Sequence, residues 1–388
     1  MTHYNPEIRR LLIHFAACDW DNPLPQVAAD WTQALQAIQR HRIVGPTYYA
    51  LSRQGQADYP PPAFQRAIRL RHYKNSFQMA KMYQSFNLVV NQLTQQAIDF
   101  MVVKGPVLAH TIYPTPAIRY FRDLDLILME RDRVAAGAAL SRVKYEIDED
   151  AVGFLPQLTP EVLALRHTQY FNQQTDLPVE IHWDNFLVDD LVLRDMESIW
   201  RRAIDVGIGD MVVKAPSLED HLMHLCAHAH SHRFENLFWL SDLLLIVRDH
   251  NHEMDWDLFL RTVVAESIEV PAYYSFKLLD ALFDQQVPAE VMDALKPDRF
   301  RRWFHERYIP EEEARLLSEA DQPPISFKST PLFASTILNL LVMSRRADKI
   351  KFLFRLLFPT PEWLRCRYNL AATQSVLPYY FKRLIPIG

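Results

Sequence analysis

Residues 64–98 carry apolar side chains at Phe64, Ile68, Leu70, Tyr73, Phe77, Met79, Met82, Phe86, Leu88, Val89 and Leu93. The spacing is mostly three or four with no proline, which predicts one long packed helix. At Asp99 the period changes. Phe100–Val103 is a short β-rich run that stops at Lys104-Gly105-Pro106, where proline suits the first turn of a following helix. A second apolar run covers 124–129, a helix-like stretch 132–143, and a return strand 145–147. Residues 168–172 and Val179–Trp183 read as two strands joined by a polar turn at Gln174, Thr175 and Asp176. Residues 204–206 and 211–213 flank Gly-Ile-Gly-Asp, a hairpin signal. Ser217-Leu-Glu-Asp220 has the form of a capping box, and the pattern is helical from there on. The chain therefore divides into a helical region 1–98, a compact α/β (α+β) core 99–216 and a large helical region 217–388, without internal repeats or low-complexity linkers.

Composition narrows the chemistry. The 388 residues include only eight glycines, and the single GxG, Gly207-Ile208-Gly209, lacks the third glycine of a dinucleotide fingerprint. No G-x-x-x-x-G-K-[ST] is present either, which argues against a Rossmann cofactor site, a Walker ATPase and a protein kinase. Cys18, Cys226 and Cys366 are odd in number and widely spaced, so neither a zinc knuckle nor a redox pair is expected. With no signal-peptide pattern and no run of ~18 apolar residues, the expectation is a soluble cytoplasmic protein. Net charge is −5, but from Ser326 onward ten basic residues face two acidic ones, a +8 tail on a −13 remainder. Such a tail suits an anionic substrate, RNA or a peripheral membrane contact, or is simply a solvated face.

Chemistry concentrates at Asp123-Leu124-Asp125. Residues i and i+2 of a strand share a face, so the two carboxylates converge while Leu124 and Leu126 turn to the core. Acids held so close repel, a cost that divalent cations between them would remove. Glu180 is a lone acid in an apolar strand, and a neighbouring strand would bring it beside the aspartates. Lys104 and Gly105, at a strand-to-helix junction, are candidates for holding phosphate oxygens, with Arg119 at the far end of a triphosphate.

These residues resemble the nucleotidyltransferase superfamily that shares the DNA polymerase β palm-like fold. Its pattern is a strand-helix turn with a glycine, a [DE]-h-[DE] pair on the next strand and one acid on a further strand. More narrowly, the segments VVKGPVLAHTIYPTPAIRYFRDLDLIL, VEIHWD and HLMHLCAHAHSHRFENLFWLSDLLLI resemble an uncharacterised bacterial family of nucleotidyltransferases. That resemblance implies a small mixed-sheet nucleotidyltransferase core, with Asp123, Asp125 and Glu180 as metal-binding carboxylates. It further implies Mg²⁺ (or Mn²⁺), an NTP substrate and two-metal transfer of an NMP to an acceptor hydroxyl. Lys104, Gly105, Arg119 and His182 would bind the nucleotide. The superfamily usually has serine after the glycine, where this chain has Pro106. A lysine-glycine pair at this place also resembles the nucleotidyltransferase toxins of toxin-antitoxin systems, although their second glycine is missing here.

His221, His224 and His228 fall at i, i+3 and i+7, one helix face, and are candidates for a second metal site, an acceptor pocket or plain packing, with Asp242 a candidate for orienting one of them. The aromatic residues mostly read as core, because a base-stacking platform needs aromatics interleaved with basic residues on one exposed face. Residues 331–343 are apolar but too short to span a bilayer, and read as a buried helix or an amphipathic membrane contact. Three functions follow: a nucleotidyltransferase acting on a small molecule, glycan or protein; a toxin-like relative modifying tRNA or protein; and a non-catalytic nucleotide- or metal-binding protein or hydrolase built on the histidines.

Overall fold

The computed structural model describes residues 4–54, 58–147, 167–175, 177–183 and 195–308, with short stretches between 340 and 382. The basic tail and the run 331–343 lie largely outside them. The chain opens with helices α1 (Pro6–Ala16), α2 (Trp31–Arg40), α3 (Val44–Gln54) and α4 (Pro62–Gln95). Strand β1 (Phe100–Val103) leads into α5 (Gly105–Thr111), then come β2 (Leu124–Leu128), α6 (Arg133–Arg142), β3 (Glu146–Ile147), β4 (His167–Phe171) and β5 (Val179–Trp183). Helix α7 (Met196–Arg202) precedes the hairpin β6 (Ile204–Ile208) and β7 (Met211–Ala215). The helices α8 (Leu218–Ser231), α9 (Leu237–Asp249), α10 (Trp256–Glu266), α11 (Glu269–Phe283), α12 (Ala289–Leu295) and α13 (Arg299–Tyr308) follow. Among the described residues no helix is long and apolar enough to cross a membrane.

The seven strands form one mixed sheet in the order β3-β4-β5-β2-β1-β7-β6, the α/β class that the pattern predicts. β2 sits centrally, antiparallel to β1 and parallel to β5. Alternation along the strands separates two cores. Leu124, Leu126 and Leu128 of β2 join Val179, Ile181 and Trp183 of β5 on one face, covered by α6 and the second half of α4. Met101, Val103 and Ile127 face the other way, into a core shared by α1–α3 and α8–α12. Helices α1–α3 and α8–α12 are thus one packed layer: Ser241 Oγ donates to the Ala16 carbonyl at 2.7 Å, and the Phe238 N–H to that of His41.

Local signals hold in detail. The Ser217 hydroxyl accepts the Asp220 N–H at 3.3 Å, capping α8, while the Asp220 carboxylate takes Ser217 Oγ and Arg202. The hairpin turn is tighter than the sequence suggests, since β6 continues through Ile208 and only Gly209-Asp210 turn, with Gly209 at φ +59°. Helix α4 differs more. Leu70, Tyr73, Phe77 and Leu88, expected in the core, are exposed, because residues three and four apart can trace either face of a helix.

Gly45, near the start of α3, is required by close approach. A Cβ there would lie 1.9 Å from the Ile118 carbonyl oxygen, in the single-turn helix Pro116–Ile118 that leads to Arg119. Gly45→Ala should therefore lower the folding free energy by about 1–3 kcal/mol, as overpacking does. Denaturant midpoints measure this, and an unchanged midpoint would mean that the segment before Arg119 yields freely.

Candidate functional site

The β2 alternation that buries Leu124 and Leu126 turns Asp125 to the opposite face of the sheet. Its parallel neighbour in the register is Glu180, and Ile127 lies beside His182, so Glu180 and His182 share that face. Asp125, Glu180 and His182 each bring one ligand atom to within 4.8 Å of the others; among the described residues this is the one such group. Asp125 is buried, Glu180 and His182 are partly so. Lys104 Nζ lies 2.8 Å from Asp125 Oδ1, and His182 Nε2 lies 3.3 Å from the same oxygen. Burial alone would raise the Asp125 pKa, but Lys104 and His182 pull it well below the usual carboxylate range. Asp123, just before β2, lies outside the converging group. Burial and then the Asp125 charge push it up to about 6, against the pull of Lys104.

Lys104 is held in place by its backbone. Its φ of +54° with ψ −119° is a conformation that glycine tolerates and L-residues adopt at a cost of order 1–3 kcal/mol. The Lys104 N–H donates to His221 Nε2 at 3.1 Å, across from the first turn of α8. Burial and then the charges of Arg119 and Lys104 depress the His221 pKa to about 3, so the ring stays neutral and keeps the lone pair that this N–H needs. His228, two turns on, has its pKa lowered by burial and then by the Lys104 charge.

Three expectations need correction. Arg119, proposed for the triphosphate, is 5% exposed and spent on Asp242, with Nη2 to Oδ2 at 2.8 Å and Nε to Oδ1 at 3.3 Å. Its guanidinium also lies 4.6 Å from the Phe238 ring centroid. Asp242, expected to orient a histidine, instead accepts from Arg119 and from the Tyr113 hydroxyl at 2.8 Å. The Lys104-Gly105 junction is not an open cradle: the Lys104 amide is used by His221, Pro106 has no N–H, and a Cβ on Gly105 would lie 2.8 Å from Phe121 Cβ. Gly105 is there for packing, since it lets the 119–123 segment close against α5.

Over residues 28–284 the sequence matches a family described as "Uncharacterised nucleotidyltransferase". The chain belongs to this nucleotidyltransferase family. The match runs from the residues before α2 to the end of α11, and so contains every site residue above. No curated protein matches the sequence significantly. A solution structure of the antibiotic-resistance factor ANT(2'')-Ia aligns with 54% of this chain and 96% of that one, at 11% identity and a TM-score of 0.33.

Sequence reasoning missed two cations of this nucleotidyltransferase. Arg42 follows α2 at φ +59°, where the Ile43 N–H closes back on the Ile38 carbonyl, a place usually taken by glycine. Burial and then the neighbouring Arg122 charge lower the Arg42 pKa, and the Asp123 carboxylate opposes them. Arg42 therefore feels the charges of both Arg122 and Asp123. The histidines of α8 have separate tasks: His221 holds the Lys104 turn, while His228 and His232 pack against Trp239. Among the described residues they do not form a ligand group of their own.

Proposed function

We propose that this chain transfers a nucleoside monophosphate from an NTP to an acceptor hydroxyl, on the sheet face that carries Asp125, Glu180 and His182. The observation that carries the reading is the register pairing of Asp125 with Glu180 beneath the Lys104 ammonium, in a chain of a nucleotidyltransferase family. In the reaction the acceptor hydroxyl gives up its proton to solvent, its oxygen bonds to the α-phosphorus, the bond to the bridging oxygen breaks, and pyrophosphate leaves with the electron pair.

The donor set fits a hard divalent cation: two carboxylates suit Mg²⁺, and the imidazole of His182 extends the fit to Mn²⁺. Asp125, Glu180 and His182 would hold it, with Asp123 the further carboxylate. When bound, such ions lower the pKa of the acceptor hydroxyl and stabilise the leaving pyrophosphate. Lys104 balances the Asp125 charge, and its strained backbone, pinned by His221, keeps the ammonium at the carboxylates. With Arg119 committed to Asp242, the triphosphate's cations are Lys104, Arg42 and Arg122, and their work is electrostatic stabilisation.

Thermal unfolding with each NTP, with and without Mg²⁺, tests this reading. A ligand at 100 times its Kd adds about 2.7 kcal/mol to the native state. The expected result is a Mg²⁺-dependent rise in Tm with wild type, absent in Asp125→Asn. No rise with any NTP at millimolar concentration would overturn the proposal.

A further inference from the structure

Helix α4 carries no acidic residue in its 34 positions, in a chain of net charge −5. Its outward line is made of Arg66, Leu70, Tyr73, Lys74, Phe77 and Lys81. At 100° per residue these fall within about 60° of one axis-parallel line, while buried Ile68 and Met79 lie about 160–180° away. All six are exposed, Leu70, Tyr73 and Phe77 by 70%, 56% and 65%. None of the three cations has an ion-pair partner among the described residues. Lys81 Nζ lies 5.1 Å from the Phe77 ring centroid.

Rings connect this line to the site. Tyr73 lies 6.1 Å from Tyr48, and Tyr48 stacks on His72 at 3.7 Å and 9°. His72 Nδ1 shares a 2.6 Å hydrogen bond with the Tyr120 hydroxyl, three residues before Asp123. On the inner side of α4, Met79 Sδ accepts the Phe121 N–H at 3.4 Å. The helix is therefore fixed against the segment that delivers Asp123.

We propose that the outer line of α4 is the docking surface for a single-stranded nucleic acid, and that the acceptor hydroxyl belongs to that strand. The inference rests on the nucleotidyl-transfer reading and names its acceptor class. Charge complementarity favours a polyanion, and exposed rings alternating with cations are what a sequence-tolerant single-strand platform needs. The line from Arg66 to Lys81 is about 22 Å long at 1.5 Å per residue. A second copy of the chain would bring like charges together, and the basic tail would do the same. A lipid-binding helix keeps its cations on the flanks of a continuous apolar face, whereas here Arg66 falls inside the arc spanned by Tyr73, Phe77 and Leu70.

The test is binding of a fluorescent 15-nucleotide RNA to the full chain across a salt series, without NTP or Mg²⁺. Wild type should bind with a steep salt dependence. Lys74→Gln/Lys81→Gln should lower the log–log slope by about 1.4, from ~0.7 per phosphate contact on a single strand. Tyr73→Ala/Phe77→Ala should weaken binding at least tenfold at fixed salt. Both pairs are exposed, and Tm controls for folding. Affinities within twofold of wild type in both variants, or binding of phosphatidylserine vesicles but not RNA, would overturn the proposal. The NTP-induced Tm rise is read on the same variants. Its absence in wild type refutes nucleotidyl transfer and with it the acceptor assignment, while its presence in variants that lose RNA supports both.

Discussion

Asp242→Ala is expected to lower folding stability by about 3–5 kcal/mol, the range for breaking a buried ion pair from one side. The carboxylate is fully buried and satisfies three donors at once: Nε and Nη2 of Arg119 and the Tyr113 hydroxyl. Removing it leaves a guanidinium and a phenol without their acceptor in a site that is closed to water. The double substitution Arg119→Met/Asp242→Leu should recover much of the loss, because it removes both charges together. Chemical denaturation of the three proteins checks this. A loss below 1 kcal/mol in Asp242→Ala, accompanied by a raised KM for NTP, would return Arg119 to the triphosphate and refute the structural role given to it here.

That pair also marks where the sequence stops being legible. Strands β1, β2 and β5 could be read because their apolar runs are short and bounded by turn residues, and β1 and β5 are rich in β-branched or aromatic side chains. Once they are strands, the period of two places Asp125, Glu180 and His182 toward one face. Which cation answers which anion is a different matter. Arg119 and Asp242 are far apart in sequence, and nothing in either neighbourhood names the other. His221 was visible as one of several histidines on a helix, but its task is set by α8 packing against the Lys104 turn, a tertiary event. Arg42 was invisible for a related reason: its left-handed backbone occupies a position where the usual signal is glycine. The outer line of α4 is hidden in the sequence by an ambiguity of spacing. Leu70 and Phe77 keep helical spacing with each other, and so do Ile68 and Met79, but the two pairs lie on opposite sides of the helix.

Acidification should destabilise the protein steeply below pH 6.5, and the cause is buried neutral histidine. His41 and His221 are almost fully buried, and burial depresses both to about 3. In the unfolded chain each titrates near 6.5. Between those values the unfolded state binds the proton and the folded state does not, so stability falls as pH falls. At pH 5.5 each histidine contributes about 1.4 kcal/mol of loss, roughly 3 kcal/mol for the pair. His230, held at about 4 by burial, acts in the same direction. Asp123 acts in the opposite one: with its pKa pushed up to about 6, the folded chain keeps a proton that the unfolded chain releases, which returns about 1 kcal/mol at pH 5.5. The histidines outweigh it. His41 separates this account from general acid sensitivity, because neither of its ring nitrogens has a hydrogen-bond partner among the described residues. His41→Phe keeps the ring against Tyr4 and removes the titration, so its stability should fall by about 1.4 kcal/mol less than wild type between pH 7.5 and 5.5. Denaturant midpoints at pH 7.5, 6.5 and 5.5 measure the difference, and parallel curves for the two proteins would show that His41 is not the group being protonated.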